Sequence, residues 1–227
     1  MRKVILISGG SDGVGKETAR LLSADHTVVI LARTRETLEA AAKELQCDHA
    51  VADVTDYGQL AKAVEEIMKK HGRIDCLVNN AGLWIEGALD ENGPAKIKEV
   101  MDVNALGTIY LSKTVLPAMK AQKSGLIVNV ISQSGLYGKK ERSVYHASKW
   151  AITGFTKSLE AEVSPYGIRV SGVYPGKICT ALFEKAGVDK PMDNALNVTA
   201  VAKAIRFVVE TDEDTVIPEM GIKLIGG

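Results

Sequence analysis

At 227 residues and 46% hydrophobic content, the chain is long enough to bury one substantial α/β core. Its 28 basic and 28 acidic residues cancel, so the charge balance makes no case for nucleic acid or an anionic membrane as a partner. Cys47, Cys76 and Cys179 are odd in number and far apart, which excludes a disulfide framework and fits a reducing compartment.

Met1-Arg2-Lys3 and the apolar run Val4–Ile7 have the outward look of a signal peptide. Gly9-Gly10-Ser11-Asp12-Gly13 ends that run far short of signal or membrane length, so a cytoplasmic protein with no membrane span is expected. Val4–Ile7, Thr27–Leu31, His49–Val51, Asp75–Val78, Leu126–Ile131 and Ile168–Tyr174 are rich in Val, Ile and Leu and read as strands buried on both faces. Helices fall between them. One begins near Val14, and one spans Arg35–Leu45 with Leu38, Ala41, Ala42 and Leu45 on one stripe.

Another runs Tyr57–Lys70, turns Leu60, Val64, Ile67 and Met68 inward, and stops at His71-Gly72. A long helix is predicted from Pro94 to Met119, and a further one from Ser143 to Val163, stopped by Pro165 and Gly167. A late strand follows within Glu219–Ile225, before Gly226-Gly227. The alternation predicts one domain over 1–227. It is a Rossmann-type, doubly wound parallel sheet of about seven strands, with helices on both faces and right-handed crossovers. Residues 177–197, with Gly187, Pro191 and Asn194, are the least regular stretch. They follow the sixth strand at the carboxyl edge of the sheet, where such folds bind ligands, and are read as a substrate lid.

Ser8-Gly9-Gly10-Ser11-Asp12-Gly13-Val14-Gly15 joins the first strand to the first helix. Gly9 permits a tight turn, Gly13 lets the backbone approach a pyrophosphate, and Gly15 allows the helix to pack close to the strand. The helix N-terminus then offers free N–H groups and partial positive charge to the anion. After the second strand the chain reads Leu31-Ala32-Arg33-Thr34-Arg35. There is no carboxylate for a ribose 2′-hydroxyl, and Arg33 offers a forked cation suited to a 2′-phosphate. NADP(H) is therefore preferred, with NAD(H) the lesser possibility; Asp12 is a charge that opposes phosphate binding if it lies close.

Tyr145 and Lys149 stand at i and i+4, on one helical face. A free tyrosine has a pKa of about 10, and a neighbouring ammonium is expected to lower it towards use in acid-base chemistry. His146 points away from that face and is read as structural or solvent-facing. Cys47 and His49 lie close together, but no further Cys/His cluster completes a metal site, so no metal is expected.

These residues resemble the short-chain dehydrogenase/reductase family over nearly the whole chain. Ser8–Gly15 is similar to that family's cofactor loop, with Ser8 in a threonine's place, and Asp53-Val54 to its adenine-side acidic position. Asn79-Asn80-Ala81-Gly82 resembles the fourth-strand signature, in which Asn80, Ala81 and Gly82 brace the sheet and skirt the cofactor. Asn104 falls at the family's structural and proton-relay asparagine. Ser132 precedes Tyr145 by thirteen positions, a spacing similar to that of the catalytic serine, with Ser134 as the rival. Pro175-Gly176, Ile178 and Thr180 resemble the segment that holds the nicotinamide carboxamide.

The resemblance implies an oxidoreductase acting on a small carbonyl or alcohol substrate, and a homo-oligomer, dimer or tetramer, paired through its long helices. In it Tyr145 exchanges the proton, Lys149 contacts the nicotinamide ribose, Ser132 bonds the reacting oxygen, and Asn104 holds a water linking Lys149 to solvent. A 3-oxoacyl-acyl-carrier-protein reductase is one specific form, for which Lys139, Lys140 and Arg142 are either a greeting surface or a solvated loop. Trp84, Tyr137, Tyr174 and Phe183 are equally readable as pocket wall or core. The chain departs from the family in its shortness, a compact region after Thr180, and the lack of an aspartate before the final glycines. A non-catalytic dinucleotide sensor or a methyltransferase would leave Asn104, Ser132, Tyr145 and Lys149 without a task.

Overall fold

The computed structural model of the chain describes residues 2–189 and 192–225, so Pro191 and the Gly226-Gly227 ending lie outside the described residues. Seven strands are formed: β1 (Val4–Ser8), β2 (Thr27–Ala32), β3 (Asp48–Val51), β4 (Cys76–Asn79), β5 (Gly125–Val130), β6 (Ile168–Pro175) and β7 (Glu219–Ile222). They pair in parallel in the order β3-β2-β1-β4-β5-β6-β7. The connecting helices are α1 (Gly13–Ser23), α2 (Arg35–Leu45), α3 (Tyr57–His71), α4 (Pro94–Met101), α5 (Gly107–Gln122), α6 (Ser143–Val163) and α7 (Val198–Glu210).

Period-two alternation divides the core into two layers. Ile5 and Ile7 of β1 face one way, with Val28 and Ile30, and are covered by Leu22 of α1, Leu38 of α2 and Ile205 of α7. Leu6, Val29 and Leu31 face the other way, under Leu60 of α3, Leu111 of α5 and Leu159 of α6. The two outer strands differ from expectation. β3 and β7 each have a neighbour on one side only, and residues such as His49 and Glu219 are exposed rather than sandwiched.

Local signals explain the helix ends. Asp12 caps α1 by accepting the Gly13 N–H (2.6 Å), and Asp56 caps α3 by accepting that of Gln59 (3.0 Å). Gly72, at φ +73°, ends α3 in the left-handed region as its sequence position foretold. The single helix expected from Pro94 to Met119 is instead two α-helices joined by a π-helical turn, Asp102–Leu106, and it continues to Gln122. Asn104 lies in that turn, where its carbonyl accepts the Thr108 hydroxyl (2.9 Å).

After β1 the chain winds outward to β3, then crosses back to place β4 on the other side of β1. The crossovers leave from opposite directions there, so a crevice opens beyond the carboxyl ends of β1 and β4. A buried polar chain stiffens its floor. Asn79 Nδ2 donates to Ser112 Oγ (3.0 Å) and Asn129 Oδ1 (2.9 Å), and Asn129 Nδ2 donates to Thr156 Oγ1 (2.8 Å). Among the described residues, no helix is long and apolar enough to cross a membrane.

Candidate active site

The crevice widens into a cavity of about 1080 Å³. At one end lies the glycine loop. Gly9 sits at φ +64°, and a Cβ on Gly15 would lie 2.3 Å from the Gly9 carbonyl oxygen and 2.5 Å from Asn80 Nδ2, so the packing admits only glycine there. Asn80 ties the loop to β4: its side chain donates to the carbonyls of Ser8 and Gly9 (both 3.2 Å), and its own N–H donates to Ser8 Oγ (3.0 Å). The Ala81 N–H reaches the same hydroxyl at 3.2 Å. A cradle of backbone N–H groups is thereby held open at the start of α1, as a pyrophosphate requires.

Next along the wall are Arg33, Thr34, Asp53 and Val54. The Asp53 carboxylate accepts both the N–H and the hydroxyl of Thr55 (2.8 Å each), which holds it at the loop after β3. Arg33 is exposed on the cavity wall, and Thr34 leads into α2 without a side-chain cap bond. Pro175, Gly176, Ile178 and Thr180 line the cavity beyond β6, where the Gly176 N–H donates to the Ile222 carbonyl (2.7 Å).

Tyr145 and Lys149 face the middle of the cavity from α6, both more than nine-tenths buried. Lys149 Nζ lies 5.8 Å from the centre of the Tyr145 ring and donates to the Val130 carbonyl (3.3 Å). Burial pushes the phenol up to about 12, against smaller opposing pulls from a hydrogen bond with Ser132 and the charge of Arg142. Burial also drives Lys149 down to about 8. The lowering of the tyrosine expected from its lysine partner is not what sets it: burial dominates, and the opposing pulls come from Ser132 and Arg142. At neutral pH the phenol is a held proton.

Ser132 lies two residues beyond β5. Its hydroxyl caps a 3₁₀ turn, Gln133–Gly135, by accepting the Ser134 N–H (3.1 Å). Ser132 and its rival Ser134 both line the cavity. Gly15 and Asn104 do not. Asn104 is 1% exposed, takes the Leu83 N–H on Oδ1 (2.7 Å), and donates from Nδ2 to the Leu83 carbonyl and to Ser148 Oγ (3.0 Å each). Its side chain clamps the irregular segment that follows Gly82, and a Cβ on Gly82 would come 3.4 Å from Asn104 Oδ1 and 3.8 Å from Lys149 Nζ.

The aromatic wall is resolved by the tertiary structure. Trp84 packs against Tyr145 (4.3 Å between centroids) and meets Phe183 edge-on (4.9 Å); both line the cavity, as does the exposed Tyr137. Tyr174 is core, 1% exposed, and forms no part of the wall. Of the two readings of His146 the solvent-facing one fails: it is buried, borders the cavity, and burial lowers its pKa. Arg142 is half-buried with its guanidinium 5.3 Å from the Trp84 ring centre and 3.9 Å from Glu86, while Lys140 stays in the solvated loop beside Glu141. Sequence reasoning gave no role to Glu86, Lys96 or Lys185, which also border the cavity. Among the described residues, no three His, Cys, Asp or Glu side chains cluster as a metal site.

The short chain dehydrogenase family model matches residues 3–191. The chain is 35% identical to the 3-oxoacyl-acyl-carrier-protein reductase FabG of Thermotoga maritima over 240 aligned positions, covering 99% of this chain and 97% of that one. Among solved structures, ElxO with NADP bound superposes with a TM-score of 0.88 at 32% identity, over 98% of this chain and 97% of that one. The alcohol dehydrogenase of the archaeon Thermococcus sibiricus, complexed with 5-hydroxy-NADP, gives 0.90 at 25% identity and the same two coverages. The chain belongs to the short-chain dehydrogenase family and is an oxidoreductase of the hydride-transfer class.

The buried lysine has a measurable cost. Its pKa is lowered from 10.5 to about 8, so the folded state is penalised below pH 8 and the penalty fades as pH rises towards 10.5. Lys149→Met is expected to raise stability at pH 7 by about 1–3 kcal/mol, with a smaller gain at pH 10, while activity falls. Thermal melts at the two pH values check this; a lower melting temperature at pH 7 would show that Lys149 is held by net favourable contacts.

Proposed function

We propose that the chain is an NADP(H)-dependent carbonyl reductase or alcohol dehydrogenase. One observation carries the reading: Tyr145, Lys149 and Ser132 border the same cavity that begins at the glycine cradle. Gly9, Ser11, Gly13, Val14, Asp53, Val54, Asn80, Ala81 and Gly82 would hold the adenosine and pyrophosphate, Asp12 would meet the cofactor through the backbone of the loop, and Arg33 and Thr34 would lie at the 2′-phosphate. Pro175, Gly176, Ile178 and Thr180 would hold the nicotinamide end. Bound there, NADP(H) supplies or accepts the hydride; NAD(H) fits the same cradle without the contribution of Arg33.

The protein's own part is proton handling and placement. Tyr145 donates its proton to the substrate oxygen in reduction and accepts one in oxidation. Ser132 donates a hydrogen bond to that oxygen as negative charge grows on it. Lys149, on the next turn, favours the phenolate electrostatically and positions the ribose. Asn104 acts from behind the wall, fixing Leu83 and the backbone beside Lys149, and its carbonyl in the π turn is where a relay water would bind. Trp84, Leu182 and Phe183 offer an apolar, largely aromatic surface to the substrate beside Tyr145. The chain acts as one Rossmann-type domain, with the described residues 177–189 and 192–197 closing over the substrate as a lid.

We also propose a cytoplasmic homo-oligomer. Trp150 on α6 is 51% exposed and Leu106, before α5, is 40% exposed, apolar surface on the long helices that suits a second copy. Light scattering should return a mass of at least two chains; a single-chain mass at micromolar concentration would refute the assembly.

Tyr145→Phe is expected to lower turnover by at least about 10³-fold while NADPH binding stays within a few-fold of the unaltered protein. The assay is NADPH oxidation across ketones, sugars and 3-oxoacyl thioesters, the last testing whether the specific 3-oxoacyl reductase reading holds. Near-normal rates in the phenylalanine variant would overturn the mechanism. NADPH should also bind tighter than NADH, with Arg33→Asp erasing or reversing the difference. Equal affinities in the unaltered protein would remove the basis for the NADP assignment.

A further inference from the structure

Residues 177–187 pass over the cavity next to the phosphate loop. Ile178, near the start of this segment, pairs with Leu196 as an isolated parallel bridge. Thr180 packs at the start of α1, where a Cβ on Gly13 would lie 3.6 Å from its methyl carbon. From the following 3₁₀ turn, Glu184–Ala186, Lys185 reaches back across 173 positions and forms an ion pair with Asp12 Oδ2. Asp12 Oδ1 is occupied by the Gly13 N–H.

Asp12 stands in the way of an anion. It places a carboxylate within the loop whose N–H groups attract phosphate, in the same cavity as Arg33. Lys16, the neighbouring cation on α1, already serves Glu44 at 2.7 Å. Lys185 is the group that meets the carboxylate directly, and with Gly13 it holds Asp12 in the ionised form below the usual carboxylate range.

We propose that Lys185 is a positioning residue for the dinucleotide: it cancels the Asp12 charge at the phosphate loop and so permits this chain to bind a phosphate-rich cofactor despite an aspartate in the cradle. The inference rests on the dinucleotide reading above and adds a residue from the lid to it. Both partners are more than half exposed, at 62% and 56%, so the pair contributes little to stability and its removal reports on binding. It also couples the lid to the phosphate end of the cavity, because the same turn carries Lys185 and follows directly on Phe183 of the aromatic wall.

A double-mutant cycle tests this. NADPH and 2′,5′-ADP are titrated calorimetrically into the unaltered protein, Lys185→Met, Asp12→Asn and the double variant. Asparagine keeps the capping oxygen and removes only the charge. Lys185→Met is expected to weaken both ligands by roughly tenfold, the size of one close charge interaction near a protein surface. In the Asp12→Asn background the same change should cost less than about threefold, as the carboxylate to be cancelled is gone. Melting temperatures should stay level, separating binding from folding.

Lys185→Met binding within about twofold of the unaltered protein, or an equal loss with and without Asp12, would overturn the inference. NADH titrated alongside keeps the two readings apart. Equal NADPH and NADH affinity in the unaltered protein defeats the 2′-phosphate assignment, while the Lys185–Asp12 coupling is still decided by the cycle.

Discussion

The approach of α1 to β1 is the constraint on which the rest of the site depends. The α-carbon of Gly15 sits so near the Gly9 carbonyl and the Asn80 amide that one methyl group would collide with both. That contact sets the angle at which the helix leaves the sheet, and hence where its free N–H groups point. Asn80 then transfers the geometry to β4 through three hydrogen bonds with Ser8 and Gly9. Two strands that part company in topology are thereby bound at their carboxyl ends, beside the crevice.

The reacting end uses the opposite strategy. Where the cradle is made of backbone, the centre of the cavity buries a phenol and an ammonium together, and burial disfavours the charged form of each. The phenol is kept as an acid, and the lysine is held far enough from its ordinary state to cost folding free energy. Ser132 and Arg142 oppose the burial from the loop after β5 and from the start of α6. Of the two shifts, that of Lys149 is the one that penalises folding at neutral pH, since a phenol is neutral there in the folded and unfolded states alike.

Charge is arranged along the cavity as well. Arg33 and the Lys185–Asp12 pair stand at the phosphate end, while Arg142, stacked on Trp84 and near Glu86, stands at the substrate end. Phe183 directly precedes the short turn that carries Lys185, so the segment that closes the aromatic wall also reaches the phosphate loop. Movement of that turn would be felt at both ends.

Much of this was legible in the linear chain because its physics is local. Strands rich in Val, Ile and Leu, the Gly13–Gly15 run opening a helix, the i and i+4 spacing of Tyr145 and Lys149, and the Gly72 stop all depend on neighbours within a few residues. The order of elements and the direction of the sheet follow from them. Tertiary structure decided what depends on distant partners. It made β3 and β7 half-exposed edges, opened the π turn at Asn104, put Asn104 behind the wall, and let desolvation set the direction of the Tyr145 shift. It also sorted Trp84 and Phe183 into the cavity and Tyr174 into the core, and brought Lys185 to Asp12. Burial and long-range electrostatics are set by everything that packs around a group, and no window of sequence contains that surrounding.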